Sequence, residues 1–152
     1  MSLIPAENRL LLVEKDASMN NWELFIENAS KAILKGLEDK EKAYKLKLAY
    51  EELISNIIRA ASEQSIAHNV TLKVYCLTSD FDGKKLFTLQ TEDNGIAYDP
   101  GFNNENTVDV DQEISEREIG GLGIFLIKQS VDQASYEHIN GFNTNQLSMQ
   151  IN

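Results

Sequence analysis

Residues 70–100 read VTLKVYCLTSDFDGKKLFTLQTEDNGIAYDP, and the architecture is most legible there. Val70, Leu72, Val74 and Cys76 alternate with Thr71, Lys73, Tyr75 and Leu77. That period of two sends successive side chains to opposite faces of a strand. Asp82–Gly83 is a hairpin turn signal, so residues 85–92 are expected to return as the partner strand. Asn140–Gly141 repeats the signal near the C-terminus and separates expected strands at 134–139 and 145–151. Consecutive strands joined by tight turns point to a mostly antiparallel sheet.

Outward from this hairpin the period changes. Residues 9–15 (RLLLVEK) form a short apolar run expected to be a strand. Ser18 is a candidate N-cap for a helix whose stripe is Met19, Trp22, Phe25, Ala29, Ile33 and Gly36, with Gly36 as its stop. A second helix is expected over 39–65, with Leu46, Ala49, Leu53, Ile57 and Ala60 on its apolar face. After the hairpin, residues 100–119 are polar, with acids at 105, 109, 111, 113, 116 and 118 and one base, Arg117. A loop this long in a compact domain is either functional or a misplaced element. GGLGIFLIKQSV (120–131) then reads as a helix entered through glycines. The order strand, helix, helix, strand, strand, loop, helix, strand, strand predicts an α+β chain. It would form one domain over 1–152, a two-layer α/β sandwich with a mixed, mostly antiparallel sheet and helices on one face.

Composition narrows the function classes. Of 152 residues, 42% are hydrophobic and 25% charged, ordinary for a globular protein. No apolar run reaches the ~18 residues that would suggest a membrane helix, and the N-terminus lacks a secretory pattern. The single cysteine, Cys76, excludes an internal disulfide framework and fits a reducing, cytoplasmic setting. Cys76, Trp22 and Phe25 are expected in the core. His68 and His138 are expected at the surface or a strand edge. Fourteen basic against 24 acidic residues give a formal charge of −10, which argues against nucleic acid and anionic membranes as partners. An anionic ligand would have to be held by local geometry.

Three segments carry chemistry. Glu52 and Asn56 are i and i+4 on the second helix, with Arg59 on the same side, bordering the apolar stripe. Taken alone, this is also what a solvated helix flank looks like. Asp93-Asn94-Gly95 follows a strand; a carboxylate there can accept from an exocyclic base amine, and glycine lets the backbone approach a flat ring. Taken alone, it is also an ordinary turn. Gly120-Gly121-Leu122-Gly123 opens a helix, where exposed N–H groups and the helix dipole favour phosphate. Taken alone, such glycines also serve close packing.

Together, in this order and spacing, the segments resemble the N-box, G1 box and G2 box of the Bergerat-fold (GHKL) ATP-binding superfamily. Within it the chain is most similar to the anti-sigma-factor serine-protein kinases of the RsbW/SpoIIAB type. LAYEELISNIIRAA (48–61) resembles that family's N-box, and DNGIAYDP (93–100) its Asp-x-Gly-x-x-aromatic-Asp-Pro G1 box. Residues 116–147 resemble the G2 region, including Asp132 and the terminal Asn145-x-Leu147. The resemblance implies that Asn56 coordinates Mg²⁺ and that Asp93 binds the adenine amine beside Gly95. It implies phosphate donors at Gly121, Leu122 and Gly123 with a hinge at Gly120, and Glu52 as general base. Arg117 is a candidate phosphate contact or a plain surface arginine. Ala60 stands where the family often has histidine, and Ala97 where it commonly has glycine or proline.

The expected activity is therefore ATP-dependent serine-protein kinase. The implied partners are a small STAS-domain anti-anti-sigma substrate and a sequestered sigma factor or similar regulator, with a homodimer possible by analogy. The alternative is an ATP-binding partner-switching module without phosphotransfer. A histidine-kinase catalytic domain is less supported, because no helices bearing a phosphoacceptor histidine precede the boxes.

Overall fold

The computed structural model describes residues 3–4, 8–64, 69–102 and 119–151. Five strands, β1 (Leu10–Asp16), β2 (Thr71–Phe81), β3 (Lys84–Asp93), β4 (Gln133–Ile139) and β5 (Phe142–Gln150), form one sheet in the order β1-β2-β3-β5-β4. Every pairing is antiparallel. The expectation of a mixed sheet is corrected on this point. Among the described residues no two strands pair in parallel: β3 and β4 run the same way, but β5 lies between them and is antiparallel to both.

The helices are α1 (Trp22–Gly36), α2 (Lys40–Ser62) and α3 (Ile119–Ser130). Ser18 accepts from the Asn20 N–H at 3.2 Å, capping a short 3₁₀ turn that leads into α1, not α1 itself. Asp39 caps α2, accepting from the Glu41 and Lys42 amides at 2.9 and 3.2 Å. The second helix ends three residues earlier than its pattern suggested. The C-terminal strand begins three residues earlier, directly after the turn at Asn140 and Gly141. Both hairpin turns place their two central residues at positive φ: Asp82 and Gly83 at 53° and 76°, Asn140 and Gly141 at 54° and 85°. This is the primed geometry that matches strand twist.

One core unites the layers. Leu72 and Val74 of β2, Phe87 and Leu89 of β3, and Leu147 and Met149 of β5 share a face. Against it pack Phe25, Ala29 and Ile33 of α1, Leu46, Leu53, Ile54 and Ile57 of α2, and Ile127 of α3. All three helices therefore lie on that face, as the two-layer reading expected. Phe25 is fully buried and Trp22 packs at the margin. Cys76 is only half-buried, and Met19 is exposed, because the 3₁₀ turn rotates it off the α1 stripe. Tyr50 fastens α1 to α2 through its hydroxyl, which donates to the Phe25 carbonyl at 2.9 Å.

The opposite face mixes polar groups with the apolar Tyr75, Leu77 and Leu86 and is also well packed. Thr88 meets Ser148 at 2.7 Å, and the Gln146 amide donates to Gln90 at 2.8 Å while clasping both backbone groups of Ile4. No helix among the described residues is long and apolar enough to cross a membrane.

Candidate functional site

The site forms where α2 crosses the end of β3. The apolar face of α2 is anchored by Leu53 and Ile57, which fixes the rotation of the helix about its axis. Asn56 is consequently turned inward and is 8% exposed. Glu52, one turn earlier, is half-buried. These residues are not a solvated flank. Arg59, one turn on, donates from Nη2 to the Asn56 amide oxygen.

Asp93 closes β3 with its side chain on the helix-facing side, opposite Asn143 of β5 in the register. It is 5% exposed. Its Oδ1 accepts from the Gly95 N–H and from Asn143 Nδ2, each at 3.0 Å. Its Oδ2 is engaged by no described group. Burial pushes the Asp93 carboxyl above the ordinary range, and the bonds from Asn143 and Gly95 and the field of His138 offset part of that. His138 itself is exposed on the edge strand β4, as expected.

Asp93 and Asn56 line one cleft together with Leu53, Ile57, Gln64, Tyr98 and Asn143. Two segments 37 positions apart in sequence (56 and 93) thus meet, the convergence on which the sequence reading depended. Gly95 sits at the tightest approach. A Cβ there would lie 2.9 Å from Gln64 Nε2 and 3.0 Å from Asp93 Oδ1, so a side chain at this position would have to displace both. The rest of the cleft wall is pinned by side-chain groups: Gln64 accepts from the Ile96 N–H at 3.1 Å, and Asn94 from the Thr71 N–H at 2.8 Å.

The third segment also arrives. A Cβ on Gly123 would stand 3.0 Å from Glu52 Oε2 and 3.6 Å from Asn56 Nδ2, which places the start of α3 directly over the α2 carboxylate and amide. Gly120, Gly121, Leu122 and Gly123 lie within the helix, which begins at Ile119, and do not precede it. The first N–H groups of an α-helix lack intrahelical acceptors, so Gly120 and Gly121 keep the donors expected of them, whereas the N–H expected of Gly123, the fifth helical residue, falls within the intrahelical ladder. Arg117 lies outside the described residues.

Sequence reasoning missed Asn143, Tyr136 and Gln64. Asn143 and Asn145 continue the inward row of Leu147 and Met149. A polar residue on the core-facing parity of a strand was the available signal. Asn145 Oδ1 is buried without a partner, as is Thr91 Oγ1 directly across from it on β3. Asn145 lines the cleft. Buried polar atoms are rarely left unsatisfied, so this floor fits a polar ligand or water.

The polar groups are of the kind a purine nucleotide with a metal ion would use, in a cleft whose free volume of about 20 Å³ must open to admit one. An unengaged carboxylate oxygen on Asp93, an orphaned amide oxygen on Asn145 and the buried Asn56 amide line it, and Gly123 of α3 stands against both Asn56 and Glu52. No group of three or more His, Cys, Asp or Glu side chains that could hold a metal occurs among the described residues. A metal held here would draw most of its ligands from phosphates and water, which is how Mg²⁺ commonly binds with nucleotides.

A family model described as a histidine kinase-like ATPase domain matches residues 15–151. No curated protein matches the chain.

Proposed function

Because the chain belongs to the family of histidine kinase-like ATPase domains, an ATP-binding fold, we propose that it is a serine-protein kinase that phosphorylates a separate small protein. The observation carrying this is Glu52, a half-buried carboxylate one turn from Asn56 and against Gly123. In this reading Asp93 accepts from the adenine amine and Gly95 admits the ring. Backbone N–H groups of the first turn of α3, those of Gly120 and Gly121 among them, hold phosphate oxygens. Asn56 would offer its amide oxygen to Mg²⁺, which would supply neutralisation of phosphate charge, and Arg59, which now donates to that oxygen, would have to give it up.

Glu52 accepts the proton of a substrate serine hydroxyl as the serine oxygen bonds to the γ-phosphorus. The bond from that phosphorus to the β–γ bridging oxygen breaks, and ADP leaves. Positioning supplies most of the acceleration in such a transfer, with the general base adding about 10²–10⁴-fold. The proposed substrate is a STAS-domain antagonist docking at the cleft mouth, and the proposed sequestered partner is a sigma factor or a similar regulator.

The test is label transfer from γ-labelled ATP with Mg²⁺ to a serine of a STAS-domain protein. Wild type transfers label, and Glu52→Ala loses ~10²-fold or more while still binding ATP. Equal transfer by both proteins removes Glu52 as the base. ATP binding and partner capture with no transfer by the wild type would make the chain a nucleotide-dependent binding module instead.

A further inference from the structure

The face of the sheet turned away from the helices already holds a piece of peptide. Ile4 lies on it with its side chain buried, the residue being 4% exposed. Its N–H donates to Gln146 Oε1 at 2.7 Å, and its carbonyl accepts from Gln146 Nε2 at 2.9 Å. One side-chain amide thus serves both polar groups of a backbone residue, as a neighbouring strand would. The N–H can only donate and the carbonyl can only accept, so the orientation of the Gln146 amide is fixed.

Gln146 stands directly across from Gln90, on β5 and β3 respectively. Its Nε2 also donates to Gln90 Oε1, at 2.8 Å. That contact orients the second amide in turn, oxygen toward Gln146 and Nε2 away from it. This Nε2 engages no described group, although Gln90 is only 3% exposed. Nor is it sealed from solvent in the way Asn145 Oδ1 is. Gln90 lines a cavity of about 520 Å³ that Ile4 and the turn between β4 and β5 bound, a size usual for ligand sites. Thr144 lines the same cavity, and its buried side chain likewise has no described partner. Tyr75 and Phe142 are the aromatic walls, and Ile139 is an exposed apolar rim. Arg9, paired to Glu92 at 2.8 Å, stacks 4.1 Å from the centre of the Tyr75 ring and holds that wall in place.

Gln90 therefore presents the two groups that Gln146 uses on Ile4, an amide N–H and an oxygen lone pair, beside an apolar hollow. We propose that this cavity is a second binding site of the chain, one that takes an extended peptide of a partner protein. Gln90 clasps the backbone of that peptide as Gln146 clasps Ile4, and an aliphatic side chain enters between Tyr75 and Phe142. The occupant is a peptide because the adjoining glutamine holds one in this manner, with an isoleucine side chain buried beside it. A second copy packed sheet to sheet fits less well, since Ile4 stands on the face where a flat partner would have to lie. Asp93 and Asn143 lie on the opposite side of β3 and β5, so the peptide does not compete with a ligand in the cleft.

The test is fluorescence anisotropy of a fluorescein-labelled peptide with the sequence of residues 2–7, SLIPAE, titrated with the full chain. The probe carries the Leu-Ile pair that the face accepts. Wild type should bind it saturably. Gln90→Met keeps the length of the side chain and removes the amide, and should bind about tenfold or more weakly for the loss of two hydrogen bonds. Ile139→Gln changes an exposed position, where folding is little affected, and should weaken binding about fivefold or more by loss of apolar contact. Thermal midpoints accompany both variants, and if Gln90→Met melts well below the wild type, Ile139→Gln decides.

Unchanged affinity in Ile139→Gln overturns the proposal, as does unchanged affinity in a Gln90→Met that folds normally, since the peptide then binds elsewhere or has displaced Ile4. A wild type that binds no peptide overturns it too, and a dimer in sedimentation would then point to a second copy on this face.

Discussion

At Asp93 two demands oppose each other. The carboxylate sits buried at a strand end, held by two donors to one oxygen, with no cationic partner within ion-pair distance among the described residues. Burial raises its pKa above the ordinary value. A group whose folded pKa is raised contributes stability that is present below its unfolded pKa and is lost as pH rises through the folded value. The nucleotide-free protein should therefore lose stability from this group as pH climbs out of the acidic range. Asp93→Asn keeps an oxygen for Gly95 and Asn143 and removes the buried charge. Its thermal midpoint should be at or above that of the wild type near neutral pH, with a flatter acid limb. The same change turns a donor toward an incoming amine. ATP affinity should fall about 10–100-fold, the worth of a hydrogen bond to a charged group. Melting scans from acid to neutral pH and ATP titration check both halves. A destabilised Asn variant would contradict the account of Asp93 as a site kept at a cost to stability.

Asp93 was legible in the sequence only in combination: alone, Asp93-Asn94-Gly95 is also an ordinary turn, and its order and spacing with the Glu52–Asn56 helix and the glycines at 120–123 gave it meaning. Asn143 was not, because it lies in the two residues after a turn, where a polar side chain is ordinary. Only the register that sets it opposite Asp93 gives it meaning.

Between elements, two glycines make the contrast between a packing contact and a functional one. Gly36 ends α1 against β3, where an added Cβ would lie 2.6 Å from Phe87 Cδ2. The ring is locked in the core and cannot retreat. Gly36→Ala should cost about 1–3 kcal/mol by overpacking, read in urea unfolding, and leave nucleotide affinity unchanged in the folded fraction. Gly123 starts α3 against α2, where the added Cβ would lie 3.0 Å from Glu52 Oε2. That oxygen is the tip of a flexible carboxylate and can swing aside, and alanine is the better helix former by up to ~1 kcal/mol. Gly123→Ala should fold at least as stably as the wild type and lose nucleotide affinity or label transfer. If Gly123→Ala is destabilised as Gly36→Ala is, the contact between α3 and α2 is core packing and not a phosphate site.

The elements themselves were largely legible, because two alternating strands around Asp82–Gly83 and a long amphipathic helix specify their own periods. The start of α3 was legible to within one residue, since the helix expected over 120–131 begins at Ile119. Its docking was not: Gly123 stands against Glu52 and Asn56, a contact no local pattern announces. The end of α2 was overextended for a related reason, since the pattern 60–64 stays compatible with helix after the chain has turned to present Gln64 to Ile96.

Over the whole molecule, the charge of −10 opposes any nucleotide that approaches. The cleft answers this at short range, with Arg59 on Asn56 and the start of α3 close by. The two contributions have different reach. The global field extends a Debye length, about 30 Å at 0.01 M salt and about 8 Å at 0.15 M, while contacts inside the cleft act over a few ångströms and are partly shielded from salt. Association samples the first and dissociation the second. Raising ionic strength from about 0.01 to 0.15 M at constant free Mg²⁺ should therefore speed association of a fluorescent ATP analogue several-fold, the reverse of the steering seen for complementary charges. The dissociation rate should change little. Stopped-flow mixing reads both rates directly. An association rate that falls with salt would mean that the local positive end of α3 and Arg59 governs the approach as well as the grip. The acidic character of the chain would then be irrelevant to its choice of ligand.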